Sequence, residues 1–263
     1  MIDTHCHLTF PELSGDVPGV LSECAAAGVT GVITISTTTR DCLEAARLAR
    51  EYPNVWCTSG IHPLHSHEGP HEWENLRRVV TEATCVAWGE LGLDNHYREP
   101  AREVQHAVLA EHLAFIERVR REDGIDKPIV IHCREAFDDL IPILKRAPFD
   151  AGRYVFHCFT GTAADARKVL DFGAMISLTG VATYKNAREL REAVRGMPGE
   201  RIMVETDAPY LSPEPHRGKW PCRPAWVRHT AESIAALRGE AFEDFHERVN
   251  ENTRRFFGVE AER

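Results

Sequence analysis

The stretch KPIVIHCREAFDDLIPILKRA, residues 127–147, decides the fold because it contains a complete strand–helix unit. Its first part, KPIVIHC, is a short apolar run typical of a buried strand, and a histidine, His132, lies near its end. Its second part, EAFDDLIPILKRA, has apolar residues three or four positions apart, the period of a helix with one buried face. The same pair of signals recurs along the whole chain.

Strand-like runs and helical segments alternate from one end of the sequence to the other. The predicted strands are MIDTHCH, GVITIS, NVWCTSG, CVAWGE, KPIVIHC, RYVFHCF, AMISLTG and RIMVETD, and two helices follow the last of them. Parallel neighbours need long crossovers, which are usually helices. Eight units favour an α/β protein with a (β/α)8 TIM barrel over an open sheet, and we expect residues 1–263 to form one domain. A long ordered loop is predicted from Ala208 to Pro224.

The composition is that of a globular protein, with 43% hydrophobic and 27% charged residues. No apolar run reaches the length of about 18 residues that a membrane helix needs, and a secretion signal is not recognisable, so we expect a cytoplasmic protein without a membrane partner. Neither G-x-G-x-x-G nor a P-loop occurs, so no nucleotide cofactor is expected. The net charge of −9 argues against a large duplex-binding surface but allows divalent ions to supply positive charge locally.

Ionisable residues lie at the predicted carboxyl ends of five strands, where the catalytic groups of barrel enzymes converge. They are His5, His7, Glu90, His132, His157 and Asp207. Any one of them alone could be a structural histidine, a helix cap or an ion-pair member. Together, four imidazoles and two carboxylates suit two divalent ions bridged by one carboxylate, without deciding between zinc, manganese and magnesium. Glu90 is the candidate bridge.

Such a centre predicts hydrolysis by an activated water. Divalent ions lower the pKa of bound water and stabilise charge on an attacked carbonyl or phosphoryl oxygen. Asp207 is the candidate general base. No serine or cysteine nucleophile with a paired base is recognisable, which favours direct hydrolysis over a covalent intermediate.

Seven stretches carry a family pattern: DTHCHL (3–8), GIHP (60–63), GELGLD (89–94), KPIVIHCREA (127–136), HCFTG (157–161), ETDAPYL (205–211) and HRGK (216–219). In this order, and over nearly the whole chain, they resemble the TatD-type metal-dependent deoxyribonucleases of the amidohydrolase-like barrel superfamily. The resemblance implies that the six strand-end residues are metal ligands, with magnesium as the expected ion. It also implies that His62 lies near the scissile phosphate and Glu205 behind the ligands, both as active-site residues. The implied activity is hydrolysis of DNA phosphodiesters, as a 3′–5′ exonuclease on single-stranded ends.

Two loops depart from that family. Many members read RGKRNEPA after the last strand, whereas this chain reads RGKWPCRPA. Asn95 and His96 stand where many members have an aromatic residue after GLD. Arg217, Lys219 and Trp220 are candidates to hold a phosphate and stack a base, or else form a solvated loop face. Arg134 either contacts a substrate phosphate or orients a metal ligand.

Two other functions fit part of the pattern. A metal-dependent hydrolase of a carbonyl substrate, such as an amide, a lactone or misacylated tRNA, could use the same barrel. Many such relatives bridge the ions with a carboxylated lysine, whereas the fourth strand here offers Glu90. A barrel that binds metal or nucleic acid without catalysis is the third possibility, which the complete ligand set disfavours because structural sites are closed.

Overall fold

The computed structural model describes residues 1–260 and confirms the predicted (β/α)8 barrel. Its strands are β1 (Ile2–Cys6), β2 (Gly31–Thr34), β3 (Val55–Ser59), β4 (Cys85–Asp94), β5 (Ile129–Arg134), β6 (Tyr154–Phe156), β7 (Met175–Leu178) and β8 (Ile202–Val204). Its α-helices are α1 (Pro11–Ser14), α2 (Val17–Ala26), α3 (Asp41–Glu51), α4 (Trp73–Val80), α5 (Arg102–Asp123), α6 (Phe137–Arg146), α7 (Ala163–Phe172), α8 (Arg188–Gly196), α9 (Val227–Arg238) and α10 (Phe242–Phe257). None of the helices in this part of the chain is long and apolar enough to cross a membrane.

The strands pair in chain order and are all parallel. The first and last strands meet at a seam, which a bridge between Cys6 and Ala208 closes just beyond β8. The backbone N–H of Asp207 donates to the carbonyl of His5 at 2.8 Å, and that of His7 donates to the carbonyl of Ala208 at the same distance. Below these bonds, the buried carboxylate of Asp3 accepts from the backbone N–H of Thr206 at 2.9 Å. The seam therefore places His5, His7 and Asp207 side by side.

Two apolar clusters stabilise the barrel. The larger one lies between the sheet and the surrounding helices. The smaller one combines side chains from seven of the eight strands with Phe257 and Val259, at and just after the end of α10. A cluster drawn from strands all around the barrel must lie inside it, as expected for a closed (β/α)8 sheet. The end of α10 therefore closes the amino-terminal mouth of the barrel.

Several predicted strand ends are wrong: β6 and β8 end three residues before the predicted positions, at Phe156 and Val204, and β4 continues four residues farther. We expected the fourth strand to end at Glu90, but β4 continues to Asp94, so Glu90 lies inside the strand. The register between β4 and β5 shifts between Trp88 and Leu91, which is the position of Glu90. The reason is the close approach of Gly89, which adopts φ +130, to Val130 of β5. The loop predicted after the last strand is present, without helix or strand between the bridge residue Ala208 and Pro224.

Candidate metal centre

Glu90 lies at the centre of the predicted ligand set, and its two carboxylate oxygens face different histidines. Oε1 is 3.5 Å from Nε2 of His5 and 3.9 Å from Nε2 of His7. Oε2 is 2.7 Å from Nε2 of His157 and 3.2 Å from Nδ1 of His132. The Glu90 side chain is almost fully buried, at 2% exposure. The structure thus brings the predicted histidines together in two pairs, one on each oxygen of one carboxylate.

Asp207 completes the first pair. Its Oδ1 is 3.5 Å from Nε2 of His5 and 3.3 Å from Nε2 of His7. The residue has φ +60, a strained conformation for a non-glycine residue, which the hydrogen bond of its N–H across the seam helps to maintain. All six predicted ligands therefore lie in one cluster.

The atoms of this cluster are spaced as ligands of an ion. Most of the distances around His5 and His7 are too long for hydrogen bonds but match the ligand–ligand edges of about 3.3–3.6 Å expected for four ligands at ~2.0–2.2 Å from a metal. Neither ring nitrogen of the fully buried His5 has a hydrogen-bond partner, nor has Nδ1 of His157. Buried polar atoms without partners are costly, and an ion bound to Nε2 of His5 would satisfy that nitrogen. The donor set of imidazole and carboxylate therefore fits a divalent metal.

In His7 and His132, one ring nitrogen is hydrogen-bonded outside the cluster, and the other, unprotonated nitrogen therefore faces into it. Nδ1 of His7 donates to the carbonyl of Ile35 at 3.2 Å, which leaves Nε2 as the nitrogen with a lone pair. Nε2 of His132 donates to Oδ2 of Asp94 at 3.0 Å, which leaves Nδ1. Asp94 is fully buried, and we did not predict a role for it from the sequence. The signal that could have identified it is its position as the last, polar residue of GELGLD.

Glu205 has the predicted position behind the ligands. Its Oε1 is 3.4 Å from Nδ1 of His157 and accepts from the backbone N–H of Cys158 at 2.6 Å. Its Oε2 accepts from the hydroxyl of Thr4 at 3.3 Å. A carboxylate held in this way orients the imidazole in front of it.

His62 contacts the second pair but, unlike the predicted ligands, directs a protonated nitrogen at the cluster. Its Nδ1 accepts from the backbone N–H of Leu64 at 3.0 Å, so the proton of the neutral ring is on Nε2. Nε2 is 3.1 Å from Nδ1 of His132 and 3.7 Å from Oε2 of Glu90. Burial is the largest influence on the pKa of His62 and holds it well below the usual value, although the charge of Glu90 opposes the shift. His62 therefore presents an N–H to the cluster.

The glycines of GELGLD explain how β4 approaches its neighbour. At Gly92, which has φ +151, an added Cβ would lie 1.9 Å from the carbonyl oxygen of His132. At Gly89 it would lie 2.7 Å from the carbonyl oxygen of Val130. Only residues without a side chain permit this contact between β4 and β5. The spacing of the two glycines thus brings Glu90 and His132 together.

A cavity of about 780 Å³ opens above the cluster at the carboxyl-terminal end of the barrel. Its lining includes the carboxylates of Glu90, Asp94, Glu135 and Asp207, against the single guanidinium of Arg134. Arg134 is the last residue of β5 and lies 5.1 Å from the ring centre of Tyr97, an exposed aromatic residue that also lines the cavity. An anionic substrate would meet net negative charge here unless cations were bound.

The remaining predicted residues lie beyond the cavity. Neither Arg217 nor Lys219 is among the described residues that line it. The guanidinium of Arg217 lies 4.1 Å from the ring centre of Tyr184, and Nζ of Lys219 is 3.3 Å from Nδ1 of His216. Trp220 is 58% exposed, and its ring lies 5.5 Å from that of Tyr210, which does line the cavity. The structure thus brings Trp220, but neither cation, towards the site.

Comparisons with known proteins agree with this architecture. The family model described as TatD related DNase matches residues 2–258. The chain is 38% identical to the metal-dependent hydrolase YcfH of Escherichia coli K12, covering 100% of this chain and 97% of that protein. It is 32% identical to the 3′-5′ ssDNA/RNA exonuclease TatD of Klebsiella pneumoniae, covering 99% and 98%. Among solved structures, it is similar to the TatD homologue YJJV of E. coli, with a TM-score of 0.90, 31% identity and coverage of 99% and 98%.

Proposed function

The chain belongs to the TatD-related DNase family of metal-dependent hydrolases, and on that premise we propose that it is a 3′–5′ exonuclease that hydrolyses phosphodiester bonds of single-stranded DNA. One observation carries the proposal. The two carboxylate oxygens of Glu90 face different pairs of histidines, and the cavity above them has aromatic residues at its exposed rim.

Two groups of residues would each hold a divalent ion. The first comprises His5, His7, Asp207 and Oε1 of Glu90; the second comprises His132, His157 and Oε2 of Glu90. Magnesium is the ion we expect, with manganese and zinc as alternatives. Bound divalent ions would supply an acidified water and stabilise negative charge on the phosphoryl oxygens.

Asp207 is the better placed of the two central carboxylates to accept the proton of the attacking water. Its side chain is 16% exposed and lines the cavity, whereas that of Glu90 is 2% exposed and has histidines on both oxygens. A general base has to reach the proton it removes. We therefore assign the base to Asp207 and the positioning of the ions to Glu90.

Two donors in the cavity suit a phosphodiester. The Nε2–H of His62 and the guanidinium of Arg134 approach from β3 and β5, on either side of Glu90. A neutral N–H donor and a guanidinium both stabilise charge that grows on phosphoryl oxygens. We place the scissile phosphate between them.

A series of aromatic rings leads from the metal centre to the solvent. The ring of Phe10 stacks on that of His7 at 4.5 Å, Tyr210 follows at 6.3 Å from Phe10, and Trp220 at 5.5 Å from Tyr210. Tyr210 is 44% exposed. Proteins that bind single strands stack successive bases on such rings. This series supports a single-stranded substrate, and Arg217 and Lys219 remain candidates for contacts with phosphates farther out.

The carbonyl-substrate alternative has less support from the cavity. No lysine is present among the described residues that line it, so a carboxylated lysine bridge has no candidate there. Glu90 has the bridging position instead.

The test uses purified protein loaded with Mg²⁺ or Mn²⁺ and a single-stranded oligonucleotide labelled at either end. We expect label at the 3′ end to appear at once as mononucleotide and label at the 5′ end to pass through a ladder of shortening products. We expect Asp207→Asn to retain its fold and lose turnover, because the substituted amide is not a base. The control variant Asp171→Asn changes an exposed carboxylate on α7 and should cleave normally.

The result that overturns the proposal is protein that binds metal but cleaves no oligonucleotide with Mg²⁺, Mn²⁺ or Zn²⁺. Turnover of p-nitrophenyl esters or amides without turnover of p-nitrophenyl phosphodiesters would assign the chain to the alternative class.

A further inference from the structure

A second cavity, of about 460 Å³, lies at the opposite end of the barrel. Its lining comes from residues at or just before the starts of β5 to β8 and from the end of α10: Pro128, Gly152, Arg153, Met175, Glu200, Arg201, Arg255 and Phe256. Strand starts in a parallel barrel share one end, and the metal centre lies at the other. The two cavities are therefore at opposite ends of the barrel.

The charge of this cavity has the opposite sign to that of the chain. Three guanidinium groups line it, those of Arg153, Arg201 and Arg255, with Glu200 as the one carboxylate in the lining. Asp126 lies nearby, with Oδ1 3.5 Å from Nη2 of Arg153, and this is the single ion pair formed by these arginines among residues 1–260. A cationic pocket on a chain of net charge −9 concentrates anions locally.

Backbone contacts hold the arginines in place but use few of their donors. Nη1 of Arg201 donates to the carbonyl of Gly173 at 2.7 Å. Nη2 of Arg255 donates to the carbonyl of Glu200 at 3.1 Å and to the side chain of Asn252 at 2.9 Å. A guanidinium has five N–H donors, so most of those in the pocket are free for a ligand.

Arg153 is held from one side by the protein. Its Nη2 donates to the carbonyl of Asp126, and its Nε is buried. The donors that Arg153 offers a ligand in the pocket are therefore on its terminal nitrogens.

We propose that this cavity binds a small phosphate monoester, whose phosphate contacts Arg153, Arg201 and Arg255 and whose organic part lies against Met175 and Phe256. Planar guanidinium groups bind phosphate oxygens in pairs. Inorganic phosphate alone would leave much of the volume empty, and the volume is in the usual range for small-molecule sites. The site is separate from the proposed nuclease centre and does not depend on that function.

The experiment follows the methionine methyl groups of the metal-loaded protein by NMR. The chain has four methionines, and Met175 is the one that lines the cavity. Ribose 5-phosphate should shift the Met175 signal along a saturable curve and leave that of Met197 unchanged, while ribose should shift neither. A Met175→Leu variant assigns the signal.

Arg255→Gln removes one guanidinium at an exposed position at the end of α10. We expect it to weaken binding by about 10- to 100-fold, the usual effect of losing a hydrogen bond to a charged group. Arg195→Gln, an exposed arginine on α8 that pairs with Glu192, is the matched control and should bind as the unmodified protein does. An unmoved Met175 signal at millimolar ribose 5-phosphate, an equal response to ribose, or equal binding by Arg255→Gln would each overturn the proposal.

Discussion

Replacing Asp94 by asparagine should weaken metal binding although Asp94 contacts no predicted metal position. One oxygen of its carboxylate accepts from the backbone N–H groups of His96 and Tyr97, at 3.0 and 3.2 Å, and the other accepts from Nε2 of His132 at 3.0 Å. An asparagine that keeps the two backbone contacts turns its NH₂ group towards His132. Two donors then face each other.

The imidazole can relieve this conflict only by moving its proton to Nδ1. That nitrogen is 3.2 Å from Oε2 of Glu90 and is the one that would bind the ion. Loss of the carboxylate behind a metal-binding histidine typically costs 10- to 100-fold in affinity, or about 1.4–2.8 kcal/mol. We expect this loss at the position formed by His132 and His157, and little change at the position formed by His5 and His7.

The assay is competition for Mn²⁺ or Zn²⁺ between metal-free protein and a chromophoric chelator, which resolves strong and weak sites. Asp171→Asn is again the control, because its carboxylate is exposed. Circular dichroism and thermal unfolding establish that the variant folds. If folded Asp94→Asn binds metal as tightly as the unmodified protein at every site, the tautomer argument is wrong.

Two further predictions concern other histidines. His62→Ala should lower turnover of single-stranded DNA by about 10²- to 10³-fold, which is the usual effect of removing one donor to a developing oxyanion. Metal affinity should stay constant. If the variant loses metal, His62 is a ligand instead. His112→Leu should make stability less dependent on pH, because burial, together with the charge of His71, lowers the pKa of His112 to about 3. Below about pH 6.5 the imidazole of His112 is protonated in the unfolded chain but not in the folded protein, so the stability of the unmodified protein falls as the pH drops from 6.5 towards 3. Over that range the variant should gain up to ~1.4 kcal/mol of stability per pH unit relative to the unmodified protein. Urea unfolding at pH 7.5, 6 and 5 measures this difference, and a difference independent of pH would contradict the prediction.

The fold could be predicted because each strand is a short apolar run beside a helix-period segment, as in residues 127–147. The strand whose end was misplaced by the most residues, β4, departs from that pattern at Gly89 and Glu90. The irregularity there depends on close contact between β4 and β5, and the contacting residues are some forty positions apart in the sequence. A pattern read along the chain does not contain that contact.

The ligand cluster could be predicted because its residue types are conspicuous and the strands of a barrel end on one face. Asp94 was missed because its role depends on a hydrogen bond to His132 across two strands. The positions of Arg217 and Lys219 depend on how an irregular loop folds, which brings Arg217 against Tyr184 after β7 and Lys219 against His216. The arginine pocket was missed because its three cations are distant in sequence and meet only when the barrel closes.

The seam between β1 and the residues after β8 also sets the order in which this protein can mature on the ribosome. Asp3 and Thr206 are joined across 203 positions, and the hydroxyl oxygen of Thr4 lies 3.1 Å from the carbonyl oxygen of Val204 across 200. Contacts so distant in sequence form slowly, and here they must wait until more than three quarters of the chain has been synthesised. Until then β1 is an unpaired edge that can associate with other chains. An ion at the position formed by His5, His7 and Asp207 would therefore be bound only in the last stage of biosynthesis.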